Sequence, residues 1–177
     1  MNRMFADIGL VVGAFVAMEG VSYALHRWVM HRIGMRLHAS HHRPPKPGWE
    51  ANDLFPVFFS VIGITVFLLA SVGPRISELW WVGAGVTLYG LCYLFVHDVY
   101  IHHRLPVAIP HWRYLEWLRR SHRVHHLTGA EPYGMLLPVL TRRQRGFADL
   151  ADLDQARREE ADVLERLANT REMRSRL

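Results

Sequence analysis

The sequence predicts an all-α membrane protein, a bundle of three transmembrane helices carrying a His-rich helical cap. Three observations point there. Residues 54–74 and 79–96 run for 21 and 18 residues without a charge, close to the ~20 residues a helix needs to cross a bilayer. Residues 8–25 form a third apolar stretch of similar length, interrupted only by Glu19. No alternating pattern of the kind that marks a strand occurs anywhere in the chain.

The elements follow in order. The first stretch runs through Glu19 directly into His26 with no small-residue cleavage pattern, so it reads as a retained span and not as a signal peptide. Only Gly73-Pro74-Arg75-Ile76-Ser77 separates the second and third stretches, which makes them a tight helical hairpin. The end of span one, the start of span two and the end of span three then share one side. Segments 26–53 and 97–177 on that side hold nineteen of the 21 basic residues, which the positive-inside rule makes cytoplasmic. The net charge of +5 therefore serves topology, and a nucleic-acid partner is excluded. Residues 105–118 mix Trp112, Tyr114 and Trp117 with charges, as expected of a helix at headgroup depth. Residues 133–140, bracketed by Pro132 and Pro138, are too short to cross and are expected to form a cap or a fourth, re-entrant segment. From Phe147 onward eight acids and six Arg predict a solvated helical tail, dividing the chain into a membrane domain, 1–146, and a tail, 147–177.

Ten of the twelve His residues fall into four groups: His26 and His31; His38, His41 and His42; His97 and His102; His122, His125 and His126. On a helix, residues at i, i+3 and i+4 share a face, so each HxxHH triplet is expected to aim three imidazoles into one space. The paired His residues are spaced i, i+5, about 140° apart on an α-helix, and are expected to flank a cavity. Ten imidazoles gathered on one membrane face repel if protonated and leave ring nitrogens unpaired if neutral. Metal ions relieve both problems, and eight to ten nitrogens suit two ions. The single Cys92 excludes Cys-based zinc and iron–sulfur sites, and no HExxH motif is present. Nitrogen ligands alone leave the metal open among Fe, Cu, Zn and Ni.

The ordered motifs HRWVMHR, LHASHHRPPKPGWEANDLF, FVHDVYIHHR and RSHRVHH, with EPYGM further on, resemble the bacterial β-carotene hydroxylases of the fatty acid hydroxylase and sterol desaturase superfamily over residues 15–147. The resemblance implies a non-haem di-iron oxygenase that hydroxylates C3 of the β-ionone ring, from β-carotene through β-cryptoxanthin to zeaxanthin. It also implies that His26, His31, His38, His41, His42, His97, His102, His122, His125 and His126 are the metal ligands. His103 departs from the pattern and leaves open which of the adjacent pair binds; His111 has no counterpart and reads as interfacial. O2 is the implied co-substrate. Electrons must arrive from outside, with a ferredoxin and its reductase as the expected donors, docked with the help of Arg119, Arg120 and Arg123.

Asp98, Asp53 and Glu19 are the expected outer carboxylates, able to accept a ligand's second ring N–H; for Glu19 the expected partner is a ligand His or Tyr23. A carotenoid would enter from the bilayer past Phe55, Phe58, Phe59, Tyr93 and Phe95. The expected location is the bacterial inner membrane, with the site on the cytoplasmic side. Two other readings compete: hydroxylation or desaturation of a fatty acyl or sterol substrate, and a non-catalytic metal carrier. Spans two and three offer few polar residues at mid-depth, which disfavours a permeation path.

Overall fold

The computed structural model describes residues 2–43, 48–72, 78–105, 107 and 109–150, and among these the only regular structure is helical. Helix α1 (Asn2–Ala24) continues without a break into a π-helical segment (Leu25–Ile33), followed by the short α2 (Met35–His38). A 3-10 turn (Ala51–Asp53) opens α3 (Leu54–Val72). Helix α4 (Leu79–Leu94) continues into a second π-helical segment (Phe95–Ile101), and α5 (Arg113–Thr128) carries the fourth His motif. The chain divides between Val139 and Leu140, and the described part of its second unit holds one helix, α6, over 142–150. The expected hairpin turn at Gly73–Ser77 and the tail beyond residue 150 lie outside the described residues.

Three continuous helices, Arg3–Ile33, Ala51–Val72 and Leu79–Ile101, are long and apolar enough to cross a membrane. Their outward faces carry large exposed apolar side chains, such as Phe5, Ile8 and Val12 on α1, Phe58, Val61 and Leu68 on α3, and Leu88 and Leu91 on α4. Exposure on that scale suits lipid and not water. Helix α4 is the centre of the bundle, packing against both α1 and α3. At its closest approach to α1 a Cβ on Gly85 would lie 2.3 Å from the Val11 carbonyl oxygen, so the crossing requires glycine there.

The tightest apolar packing lies at the His-bearing end of the spans, where Val96, Tyr100, Leu115, Leu118 and Met135 form a buried cluster. Helix α5 contributes to it because Leu115, Leu118, Ser121, His122, Val124 and His125 recur at helical spacing on one buried face. This helix begins at Arg113 and not at residue 105 as the aromatic pattern suggested. Pro110 lacks an N–H and disfavours helix at Ile109, and Trp112 is still extended with φ −87° and ψ 138°. Residues 129–139, which take in most of the expected cap, form an irregular strap.

Candidate metal centre

Both i, i+5 His pairs sit on π-helical backbone. The hydrogen bonds Gly34 N–H to Val29 O (2.8 Å) and His102 N–H to His97 O (3.0 Å) span five residues. That winding sets residues five apart nearly above one another, so the rings of His26 and His31 (5.1 Å) and of His97 and His102 (4.7 Å) point the same way. The α-helical expectation of rings flanking a cavity is thereby corrected.

The HxxHH triplets also depart from expectation, because each divides between two neighbouring spaces. Ring nitrogens of His26, His31, His38 and His125 lie within 4.8 Å of one another, and those of His41, His97, His102 and His122 do the same. His42 joins the first nest with its Nε2 3.1 Å from His38 Nε2. His126 joins the second, 3.1 Å from His41 Nε2 and 2.8 Å from His122 Nε2. The two nests meet where the rings of His42 and His126 stack at 4.4 Å. In each triplet the i and i+4 members serve the nearer nest and the i+3 member reaches across; on α5 the helix turns the adjacent His125 and His126 about 100° apart. All ten expected ligands are thus brought together. His103 stays outside, exposed and at φ +49°, and His111 is exposed and bonded to Glu116 (2.8 Å).

The outer nitrogens show what the inner ones can do. His26 Nδ1 donates to the Tyr133 carbonyl (3.0 Å), His38 Nδ1 to Asn52 Oδ1 (2.8 Å) and His125 Nδ1 to the Ala130 carbonyl (2.7 Å). A neutral ring whose Nδ1 carries the proton presents a bare lone pair at Nε2. Yet His26 and His38 Nε2 approach to 3.2 Å, and His31 and His125 Nε2 to 3.0 Å. Between His26 and His38 no proton is left to bridge the lone pairs, so the donor set fits a cation at its centre. Burial first, and neighbouring imidazoles with it, disfavour the charged form of the rings beyond the spans. His38 is pulled down to about 4, His102 and His125 to about 3 and His126 to about 2, and His41 and His122 are also held well below the ordinary imidazole range.

The second nest faces carboxylates instead. His41 Nδ1 lies 3.9 Å from Glu50 Oε2, and His97 Nδ1 lies 3.5 Å from Asp98 Oδ1. Asp98 also meets Arg104 at 3.2 Å, while Asp53 is held by the same guanidinium at 2.7 Å and caps the turn at the Glu50 N–H (2.9 Å). Asp53 therefore acts on Arg104 and not on a ligand. Glu19 touches neither a ligand His nor Tyr23; it holds the strap and the Tyr89 hydroxyl (2.7 Å). Tyr23 bonds Glu131 instead (2.6 Å), and Arg119 is closed onto Glu116 (2.6 Å). The sequence reading did not single out Glu50, Asn52, Arg104 or the strap carbonyls. Asn52 and Tyr133 stand inside the NDLF and EPYGM stretches, which were the available signal.

An apolar cavity of about 540 Å³ lies between α1, α4, α5 and the strap, lined among others by Phe15, Val16, Phe95, Val96, Leu118 and Leu136. Of the five expected path residues only Phe95 borders it. Tyr93 packs on the His97 ring (5.2 Å), Phe55 on His38 (6.5 Å), and Phe58 and Phe59 on each other (5.5 Å).

Comparison with known proteins agrees with this architecture. The model of the family described as fatty acid hydroxylase matches residues 11–143. The β-carotene hydroxylase of Pseudescherichia vulneris is 42% identical over 124 residues, 70% of this chain and 69% of that protein. That of Pantoea ananas is 38% identical over 141 residues, 76% and 79% of the two chains. A chloroplastic β-carotene 3-hydroxylase of an Oncidium hybrid is 34% identical over 142 residues, 77% of this chain and 47% of that one. No solved structure matches. With its family match running from the first span through the fourth His motif, the chain belongs to the fatty acid hydroxylase family.

Proposed function

We infer that this chain is a β-carotene 3-hydroxylase, a membrane oxygenase that places a hydroxyl on C3 of the β-ionone ring and converts β-carotene through β-cryptoxanthin to zeaxanthin. Relatives named for that activity support the substrate. The observation that carries the chemistry is the pair of adjacent imidazole nests at the ends of membrane-spanning helices. His26, His31, His38, His42 and His125 would hold one ion, and His41, His97, His102, His122 and His126 the other.

Iron is the proposed metal because an unactivated ring C–H demands an oxidant derived from O2, which redox-silent zinc does not provide. A bound iron pair would supply that activation, with its electrons replenished from outside. Each hydroxylation consumes one O2, two electrons and two protons and returns one water. The chain carries no flavin, haem or iron–sulfur motif, so a ferredoxin with its reductase is the proposed donor.

The chain's own residues do the rest. Burial holds His38, His41, His102, His122, His125 and His126 unprotonated, and Asn52 with the Tyr133 and Ala130 carbonyls fixes which nitrogen of His38, His26 and His125 faces inward. The apolar cavity offers a seat for a hydrocarbon ring arriving from lipid, and its inner wall includes Val96 and Leu118, one residue ahead of His97 and one turn ahead of His122. The charge asymmetry of the sequence supports a cytoplasmic site in a bacterial inner membrane. Residues 147–177 take no part in this chemistry, so truncation at Phe147 is expected to retain product formation; an inactive truncation assigns the tail a role.

Pigment chromatography of β-carotene-producing bacteria tests the assignment. Zeaxanthin and β-cryptoxanthin are expected from the parent chain and neither from His125→Ala. Unchanged β-carotene, with protein in the membrane, metal bound and a ferredoxin system supplied, overturns the substrate and favours another lipid.

A further inference from the structure

Glu19 is the one charged residue of the stretch 8–25, and an ionisable group at that depth is costly unless it is used. Here its carboxylate is fully engaged. Oε1 accepts the Met135 and Leu137 N–H groups, each at 2.9 Å, the Leu136 N–H lies 3.1 Å from both oxygens, and Oε2 accepts the Tyr89 hydroxyl at 2.7 Å. Three consecutive backbone amides of the strap are therefore pinned to α1.

Upstream on the same strap, the Tyr133 carbonyl receives His26 Nδ1 (3.0 Å) and the Ala130 carbonyl receives His125 Nδ1 (2.7 Å). The strap has a second fastening at Glu131, which accepts from the Tyr23 hydroxyl (2.6 Å) and Arg27 (2.7 Å). Both braced rings belong to the first nest. His41 and His97 of the second nest face Glu50 and Asp98, which lie on other segments.

We propose that Glu19 is a positioning residue for one ion of the pair: by pinning amides 135–137 it holds the Tyr133 and Ala130 carbonyls where they orient His26 and His125, and it leaves the second nest unaffected. The proposal rests on the two-nest reading of the metal centre. It separates Glu19 from a general stabiliser of the bundle, whose loss would weaken both nests alike.

The test is anaerobic titration of the purified, detergent-solubilised full chain with ferrous iron, read as ions bound per chain and the affinity of each. Reference variants His26→Ala and His97→Ala define the loss of each ion. Removal of an outer hydrogen-bond partner weakens a metal by about 10–100-fold, and Glu19→Ala is expected to do this to the ion lost in His26→Ala while the other is held normally. Glu19→Gln, whose amide oxygen still accepts backbone N–H groups, is expected to restore most of the affinity. In the His97→Ala background, Glu19→Ala should weaken the one remaining ion. Wild-type affinity for both ions in Glu19→Ala, or equal weakening of both, overturns the proposal.

Should Glu19→Ala fail to accumulate, Gly134→Ala replaces it, because its methyl would meet Glu19 Oε1 at 3.0 Å and displace the strap while keeping the carboxylate. Selective weakening of the same ion supports the proposal, and unchanged or uniform affinities overturn it. If His26→Ala itself still binds two ions, the two-nest reading fails, a result distinct from any outcome at Glu19.

Discussion

The two imidazole nests are assembled from matching parts and braced by different chemistry. Each takes an i, i+5 pair from a π-helical span end, two His from the triplet that follows, and one His from the other triplet. The outer nitrogens of the first nest meet neutral acceptors, the Tyr133 and Ala130 carbonyls and the Asn52 amide. Those of the second face Glu50 and Asp98, with Arg104 tying Asp98 to Asp53. A carboxylate behind an imidazole raises its basicity and offsets the charge of the metal, whereas a carbonyl fixes only orientation. Through that nearby negative charge, 3.5 to 3.9 Å from the rings, the second nest is expected to hold its ion more tightly, and the first is expected to depend on the strap staying in place.

The largest effects come from removing ligands. His125→Ala and His41→Ala should each abolish zeaxanthin and β-cryptoxanthin if, as proposed, turnover uses both ions. Metal analysis then sharpens the comparison, because the crossed arrangement makes His125→Ala lose the same ion as His26→Ala and not the ion of its neighbour His122. A shared loss between His125→Ala and His122→Ala would break the division into nests.

Next come the outer partners. Asn52→Ala, which removes a hydrogen-bonded outer partner, should weaken the first ion by about 10–100-fold, and Asp98→Asn, which removes a negative charge 3.5 Å from His97 Nδ1, should weaken the second. Ferrous titration of the two variants checks this, and equal effects of each substitution on both ions would erase the contrast.

Much of the centre was legible in the sequence because it is carried by residue type and spacing. Charge-free length gave the spans, and the four His groups gave the ten rings that the fold gathers into the two nests. The split of each triplet was not legible, since HxxHH has one spacing whether its rings converge or diverge. The same holds for the pairs: a local change from α to π winding alters where His31 and His102 point without leaving a composition signal. Glu19 was visible as an anomaly, but its partners are backbone amides more than 110 positions away, and backbone groups have no letter in the sequence. Asn52 stood beside Asp53 in NDLF, and the charged residue drew the assignment although the amide makes the contact with His38.

A smaller, graded difference is expected on acidification. His38, His102, His125 and His126 titrate at about 4, 3, 3 and 2 in the fold because burial disfavours their charged forms. In the unfolded chain the same rings take protons near pH 6.5. As pH falls from about 6.5 toward about 4 the unfolded state thus binds more protons than the folded one, so the metal-free fold loses stability across that window. Thermal unfolding of chelator-treated protein at about pH 7.5 and about pH 5 should show a lower Tm at the lower pH. With metal present, the first ion should leave at a higher pH than the second, because neutral acceptors stand behind its rings where carboxylates face those of the second nest. Simultaneous release would mean that the two nests behave as one.

The smallest effect is expected where two His residues stand side by side at the edge of the second nest. His102 ends the π-helical segment with its Nε2 3.0 Å from His122 Nε2, whereas His103 is exposed and held at φ +49°. A left-handed residue other than glycine costs of order 1 kcal/mol, less for His than for a branched side chain. Glycine removes that strain but adds freedom to the unfolded chain, so His103→Gly should raise stability by about 1 kcal/mol or less. Metal stoichiometry and pigment yield should not change, while His102→Ala should cost the second ion and all product. If His103→Gly instead sheds an ion, the donor set is shared between the adjacent rings and the second nest extends one residue further than its geometry indicates.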